Sequence, residues 1–155
     1  MDEHIIKELE EKAKNLGYDT KIETDHLSGE AQEVGKILAK KELKPKTCLL
    51  FGGETTVEVK GDGVGGRNQE VALSALSDLK DGVVLVSVAS DGWDNSDVAG
   101  AIVDKGTLEK ANLVSKNPED YLSKNNSYNF FKQVGGAIST GRLGSNVSDL
   151  FILII

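Results

Sequence analysis

Residues 82–89, GVVLVSVA, constrain the fold of this chain more than any other segment. They form an unbroken run of apolar and small side chains. A strand wetted on one face alternates polar and apolar residues, so this run reads as a strand covered on both faces. Such a strand needs helices above and below it, and the flanking sequence supplies them. Ile5, Ile6, Leu9, Ala13 and Leu16 recur at helical spacing, with Gly17 as the stop. A second helix is expected over 28–43, capped by Ser28, with Ala31, Val34, Ile37 and Leu38 on its apolar face and Pro45 beyond it. A third is expected over 68–79, with Val71, Leu73, Ala75, Leu76 and Leu79 turned inward, and shorter ones over 107–113, 118–122 and 128–134. Strands are expected over 18–23, 47–51, 55–60, 137–140 and 149–155. The alternation predicts a three-layer α/β/α domain. The short link between 47–51 and 55–60 suggests an antiparallel pair, hence a mixed sheet.

Composition excludes several classes of function. With 155 residues the chain is expected to form a single domain over 1–155 that buries roughly two-thirds of its unfolded surface. Its net charge is −7, and Lys and Arg form no run beyond 36–46, so duplex nucleic acid and anionic membrane are poor partners. No apolar run is long enough for a bilayer. The lone cysteine, Cys48, sits in an apolar strand candidate and reads as a buried thiol. It allows no internal disulfide, and the acidic, amphipathic N-terminal segment does not read as a signal peptide, so a cytoplasmic setting is expected. His4 and His26 lack neighbours at metal-ligand spacing and read as surface residues.

Three polar loops follow the strands, where ligands of α/β sheets gather. The first spans FGGETTVEVKGDGVGGRNQE, residues 51–70. Gly52-Gly53 is followed by Glu54, and Gly65-Gly66 by Arg67, Asn68, Gln69 and Glu70. Glycine lets backbone approach a ligand closely, and a guanidinium at a helix start offers a fork of donors to carboxylate or phosphate. The stretch reads as a site for a small anion or, equally, as a hairpin with a glycine-rich tip. The second loop, SDGWDNSD, places Asp91, Asp94 and Asp97 directly after the GVVLVSVA strand. It suits Mg²⁺ held through one or two carboxylates, or a solvated acidic loop. The third, residues 140–150, TGRLGSNVSDL, reads as a backbone anion nest or a plain glycine turn.

Taken in order, GGETTVEVKGDGVGGRNQE, SDGWDNSDVAGAIVD and NNSYNFFKQVGGAISTGRLGSNVSDLFILI resemble the C-terminal, MOFRL, domain of the glycerate 2-kinase family. Some members of that family carry the name hydroxypyruvate reductase. The resemblance runs from about Gly17 to the end of the chain. It implies a two-domain phosphotransferase that moves the ATP γ-phosphoryl group to D-glycerate in a cleft between an N-terminal Rossmann-like domain and this one. The N-terminal domain is expected to be absent here, and the chain to be inactive alone. Mg²⁺ and ATP are expected only in a complete two-domain enzyme. The expected partners are a glycerate-like acidic metabolite and either a separate Rossmann-like chain or further copies of this one. The alternative is a non-catalytic module that binds a small acidic metabolite or serves as a subunit of a split enzyme.

Phosphoryl transfer needs charge neutralisation and positioning. On that logic and the resemblance, Arg67, Glu54 and Asp91 are the expected catalytic residues. Gly52, Gly53, Gly65, Gly66, Asn68, Thr140, Gly141, Gly144 and Asn146 are the expected substrate or phosphate contacts, and Asp91, Asp94 and Asp149 the expected metal ligands. Two departures from the family pattern stand out. The second loop lacks a proline and is one residue short, and Arg142-Leu143 replaces a usual Pro-Thr.

Overall fold

The computed structural model describes residues 2–146 and 148–155. Val147, within the third loop, and Met1 lie outside the described residues. The frame is a six-stranded sheet ordered β1 (Asp19–Glu30), β2 (Thr47–Thr56), β6 (Asp149–Ile154), β3 (Val84–Ala89), β4 (Gly100–Val103) and β5 (Ala137–Ile138). Strands β1 and β2 run parallel and the other neighbours antiparallel, so the sheet is mixed. The helices are α1 (Glu3–Asn15), α2 (Ala31–Ala39), α3 (Arg67–Ala75), α4 (Lys105–Leu113), α5 (Pro118–Leu122) and α6 (Ser127–Val134).

Side-chain alternation along the strands builds three layers. Leu49 and Phe51 of β2, Leu85 of β3, Val103 of β4, and Phe151 and Leu153 of β6 share one core. Val34 and Leu38 of α2, Val71 and Leu73 of α3, and Phe130 and Phe131 of α6 close it. On the other face Cys48, Leu50, Ile22, Ile152 and Ile154 pack against Ile6, Leu9 and Ala13 of α1. Burial pushes the Cys48 thiol above its ordinary range, as suits an inert core sulfur.

The expectation of full cover for GVVLVSVA holds on one side only. Leu85, Ser87 and Ala89 are buried, whereas Val84, Val86 and Val88 are half-buried. Helix α1 packs over β1 and β2 rather than over β3, and Ile102 of neighbouring β4 is 42% exposed on this chain.

Several boundaries move, each for a local reason. The first glycine pair is not a turn. Strand β2 runs through it, with Gly52 opposite Leu150 and Gly53 opposite both Asp149 and Leu27. A Cβ on Gly53 would lie 2.0 Å from the Leu27 carbonyl oxygen, so glycine permits the close pairing of β1 and β2. The expected strand over 55–60 contributes only Thr55 and Thr56, as the end of β2. Beyond them a side chain replaces the ladder. Asn125 Oδ1 accepts from the amides of Lys60 (2.5 Å) and Gly61 (3.0 Å), and its Nδ2 donates to the Glu58 carbonyl. Ser28 lies in β1, which is longer than expected. Glu30 instead caps α2, accepting from the Glu33 amide at 3.1 Å. That helix stops at Ala39, short of 43. Strand β4 was not expected, and β5 is shorter than the expected 137–140.

Candidate functional site

The strand pairing decides where the three loops meet. Asp149, the first residue of β6, sits opposite Gly53 in β2 and Ala89 in β3. Glu54, Ser90 and the end of the third loop therefore emerge at one edge, and the first turn of α3 arrives there too. A cleft of about 880 Å³ opens at this edge, within the size range of small-molecule sites. Glu54, Gly65, Gly66, Arg67, Asp91, Asp94 and Asn146 line it, drawn from all three loops. Gly52, Gly53 and Asp149 lie in the strand ladder behind it, and Asn68 is fully buried. Thr140, Gly141 and Gly144 lie in the exposed part of the third loop, outside the cleft lining.

Arg67 is held by two carboxylates. Its Nε and Nη2 donate to Asp149 at 2.6 and 3.1 Å, and its Nη1 donates to Glu54 at 2.7 Å. The Asp149 side chain is 1% exposed and that of Glu54 62% exposed, so one partner is core and the other solvent-facing. The Asp149 contact raises the Arg67 pKa further. Burial pushes the Asp149 carboxyl above its ordinary value, and the fork from Arg67 opposes that push.

The start of α3 already carries an anion. Gly66, its N-cap, has no side chain to offer. Asp94 takes that role from the second loop: its Oδ1 accepts from the Asn68 amide (3.0 Å) and its Oδ2 from the Gln69 amide (2.9 Å). Asn68 Nδ2 and Gln69 Nε2 add bonds to the same carboxylate. This is how negative charge stabilises the positive end of a helix. A Cβ on Gly66 would lie 2.1 Å from the Asp94 carbonyl oxygen, so this close approach requires glycine. Asn68 passes the network to the sheet by accepting from the Ser87 hydroxyl at 2.8 Å.

The second and third loops are joined. The Leu143 amide donates to the Asp91 carbonyl at 2.7 Å and the Ser90 amide to the Ser148 carbonyl at 3.1 Å. The Arg142 guanidinium stacks over the Trp93 ring, 4.1 Å from its centroid. Asp91 Oδ1 accepts from the Trp93 amide. The expected metal ligands do not form a cage: Asp94 and Asp149 are committed to α3 and Arg67. Among the described residues no three His, Cys, Asp or Glu side chains gather at metal-binding distance.

Sequence reading misses three features of the cleft wall. Glu70 is buried on α3 and accepts from Asn125 (2.7 Å) and Gln32 (3.3 Å). Burial raises its carboxyl above the ordinary 4.5. Asn125 joins Glu70 to the irregular segment after β2, forming the opposite wall. Thr55 Oγ1, on the same wall, is buried without a protein partner among the described residues. The pair of asparagines at 125–126 is the only sequence cue, and it carries no information about a partner 55 positions away.

Comparison with known proteins places this geometry. Residues 47–149 match the MOFRL family. The D-glycerate 2-kinase of Thermotoga maritima is 42% identical, over 97% of this chain and 39% of that protein. The glycerate 2-kinase of Pyrococcus horikoshii is 39% identical, over 92% of this chain and 35% of that one. The crystal structure of Thermotoga maritima glycerate kinase matches with a TM-score of 0.93 over 97% of this chain and 39% of that chain. That of a Pyrococcus horikoshii OT3 protein matches at 0.91, with 37% identity, over 97% of this chain and 37% of that chain. The chain thus spans about two-fifths of the length of these relatives. With the family match running through most of its length and the fold shared nearly end to end, the chain belongs to the MOFRL family.

Proposed function

We propose that this chain forms one wall of a phosphoryl-transfer site in which ATP phosphorylates a hydroxyl of D-glycerate. The observation that supports the reading is the convergence of Glu54, Arg67, Asp91 and Asn146 on one cleft, all within the stretch that matches the family. Asp91 is the group placed to take the acceptor proton: only one of its carboxylate oxygens accepts a bond from the described residues. The glycerate hydroxyl loses its proton to Asp91, its oxygen bonds to the terminal phosphorus of ATP, and ADP leaves. Arg67 fixes Glu54 at the cleft edge, the type of positioning this chemistry depends on. Among the described residues the carboxylates do not gather as a resident metal cage.

On this reading the remaining wall comes from a Rossmann-like portion supplied by another polypeptide segment. A coupled ADP-release assay with ATP, Mg²⁺ and D-glycerate tests it. The 155-residue chain alone should show no turnover. Joined to the unmatched three-fifths of the Thermotoga maritima relative, it should turn over, and Asp91→Asn should abolish that activity. Turnover by the chain alone at about 1–100 s⁻¹ would show a complete site. An inactive, folded hybrid that still binds glycerate by calorimetry would instead favour a non-catalytic binding module.

A further inference from the structure

Four carboxyl side chains, Glu54, Glu70, Asp91 and Asp94, line the cleft against one guanidinium, Arg67. Arg67 is already neutralised by Glu54 and by buried Asp149. The amides at the start of α3, the other natural anion receptor, are taken by Asp94. An anionic ligand entering this cleft therefore meets an excess of negative charge, and the two features best suited to receive it are both occupied from within.

A different cation stands at the rim. Arg142 is exposed, and among the described residues it has no carboxylate partner. Its guanidinium lies 4.1 Å from the centroid of Trp93, and Trp93 is itself a cleft-lining residue. Among the described residues the guanidinium N–H groups of Arg142 have no hydrogen-bonded partner, and arginine uses such groups for bidentate recognition of carboxylate and phosphate. The Leu143–Asp91 backbone bond fixes the loop that carries Arg142 beside the second loop. We infer that Arg142, outside the cleft lining but held on the lining residue Trp93, is the anion-binding residue at the cleft mouth and receives the carboxylate or phosphate group of a small acidic ligand. This rests on the proposed function for the nature of the ligand, glycerate or its phosphorylated product, but not for the existence of the anion contact.

Trp93 is the only tryptophan in the chain, so its fluorescence reports directly on this stack. The full 155-residue chain is titrated at low ionic strength with inorganic phosphate and, separately, with D-glycerate. Chloride at matched ionic strength serves as the control, and calorimetry follows binding independently of the optical signal. The expected result is a saturable change in Trp93 emission with at least one of the two anions and none with chloride. Arg142→Ala should weaken that binding at least tenfold by calorimetry with an unchanged thermal melt, since the side chain is exposed. Arg142→Lys should recover only part of it. Wild-type affinity in Arg142→Ala overturns the inference, as does a wild-type chain that binds neither anion. If phosphate binds through Arg142 and neither the chain nor the hybrid with the Thermotoga maritima portion binds glycerate, the inference stands and the glycerate reading falls. If glycerate binds equally to wild type and Arg142→Ala, the reverse holds.

Discussion

Arg67 sits between an acid that water can solvate and one that it cannot. Removing the guanidinium leaves the Asp149 carboxyl buried and without its fork. Breaking a buried pair from one side costs about 3–5 kcal/mol. Arg67 is itself 34% exposed, which places Arg67→Ala at about 3 kcal/mol, the lower end of that range. That corresponds to a fall in melting temperature of roughly 6–12 °C. Glu54→Ala removes a solvent-facing partner and should cost at most about 1 kcal/mol. Parallel thermal melts check both, and equal effects would refute the division of labour. Glu70 gives a pH signature. Its folded pKa lies above its unfolded value near 4.5, so the folded chain holds this proton more tightly. The resulting stability is complete below about 4.5 and is lost as pH rises through the folded value. Wild type measured against Glu70→Gln by urea denaturation should therefore gain stability as pH drops from 7 towards 4.5, and a flat difference would contradict it. Sequence alone exposes Glu54, Arg67 and Asp91 as a group, because each follows an apolar strand or a glycine pair. The Arg67–Glu54 pair lies within one loop, but the buried partner stays hidden: Arg67 and Asp149 are 82 positions apart, and no local pattern joins them.

Elements were legible where hydrophobic period and caps agreed. Helices α1 and α3, strand β3 and strand β6 follow from their apolar spacing. Local signals misled where tertiary contacts overrode them. Gly52-Gly53 has the chemistry of a turn but pairs as a central strand, because β1 and β6 both need backbone at close range. Strand β4 escaped notice because Gly100 and Ala101 carry little strand preference, and β3 and β5 pair with it all the same. Helix α3 is the element on which the site depends, and its cap comes from a loop 26 residues further along the chain. Asp94→Ala leaves the amides of Asn68 and Gln69 without their acceptor in a buried setting. It should cost about 2 kcal/mol or more, the upper end for loss of an N-cap. Urea denaturation followed by far-ultraviolet circular dichroism measures it. A cost under about 0.5 kcal/mol, ordinary for surface changes, would mean that α3 does not rely on this carboxylate.

At the scale of the whole molecule, the layer order was readable from the alternation of elements; the sheet is mixed as expected, but through the pairing of β6 with β2 and β3 and of β4 with β3 and β5, not through the expected pair of 47–51 with 55–60, which is one strand. The strand order β1-β2-β6-β3-β4-β5 was not readable, because pairing partners are chosen by shape across the sheet rather than by neighbourhood in sequence. Strand β6 is the keystone of that order: it lies between β2 and β3 and supplies Phe151 and Leu153 to one core and Ile152 and Ile154 to the other. A chain ending before residue 149 should lose cooperative unfolding and be cleaved rapidly by trypsin, whereas a resistant truncated form would show that the two halves of the sheet fold independently. The position of β6 also bears on biosynthesis. Strands β2 and β3 leave the ribosome long before their shared neighbour does, with open edges of the type that invite pairing with other chains. At about 5–20 residues per second the interval between Ala89 and Asp149 lasts on the order of several seconds, and throughout it β2 and β3 lack the strand that will cover their facing edges.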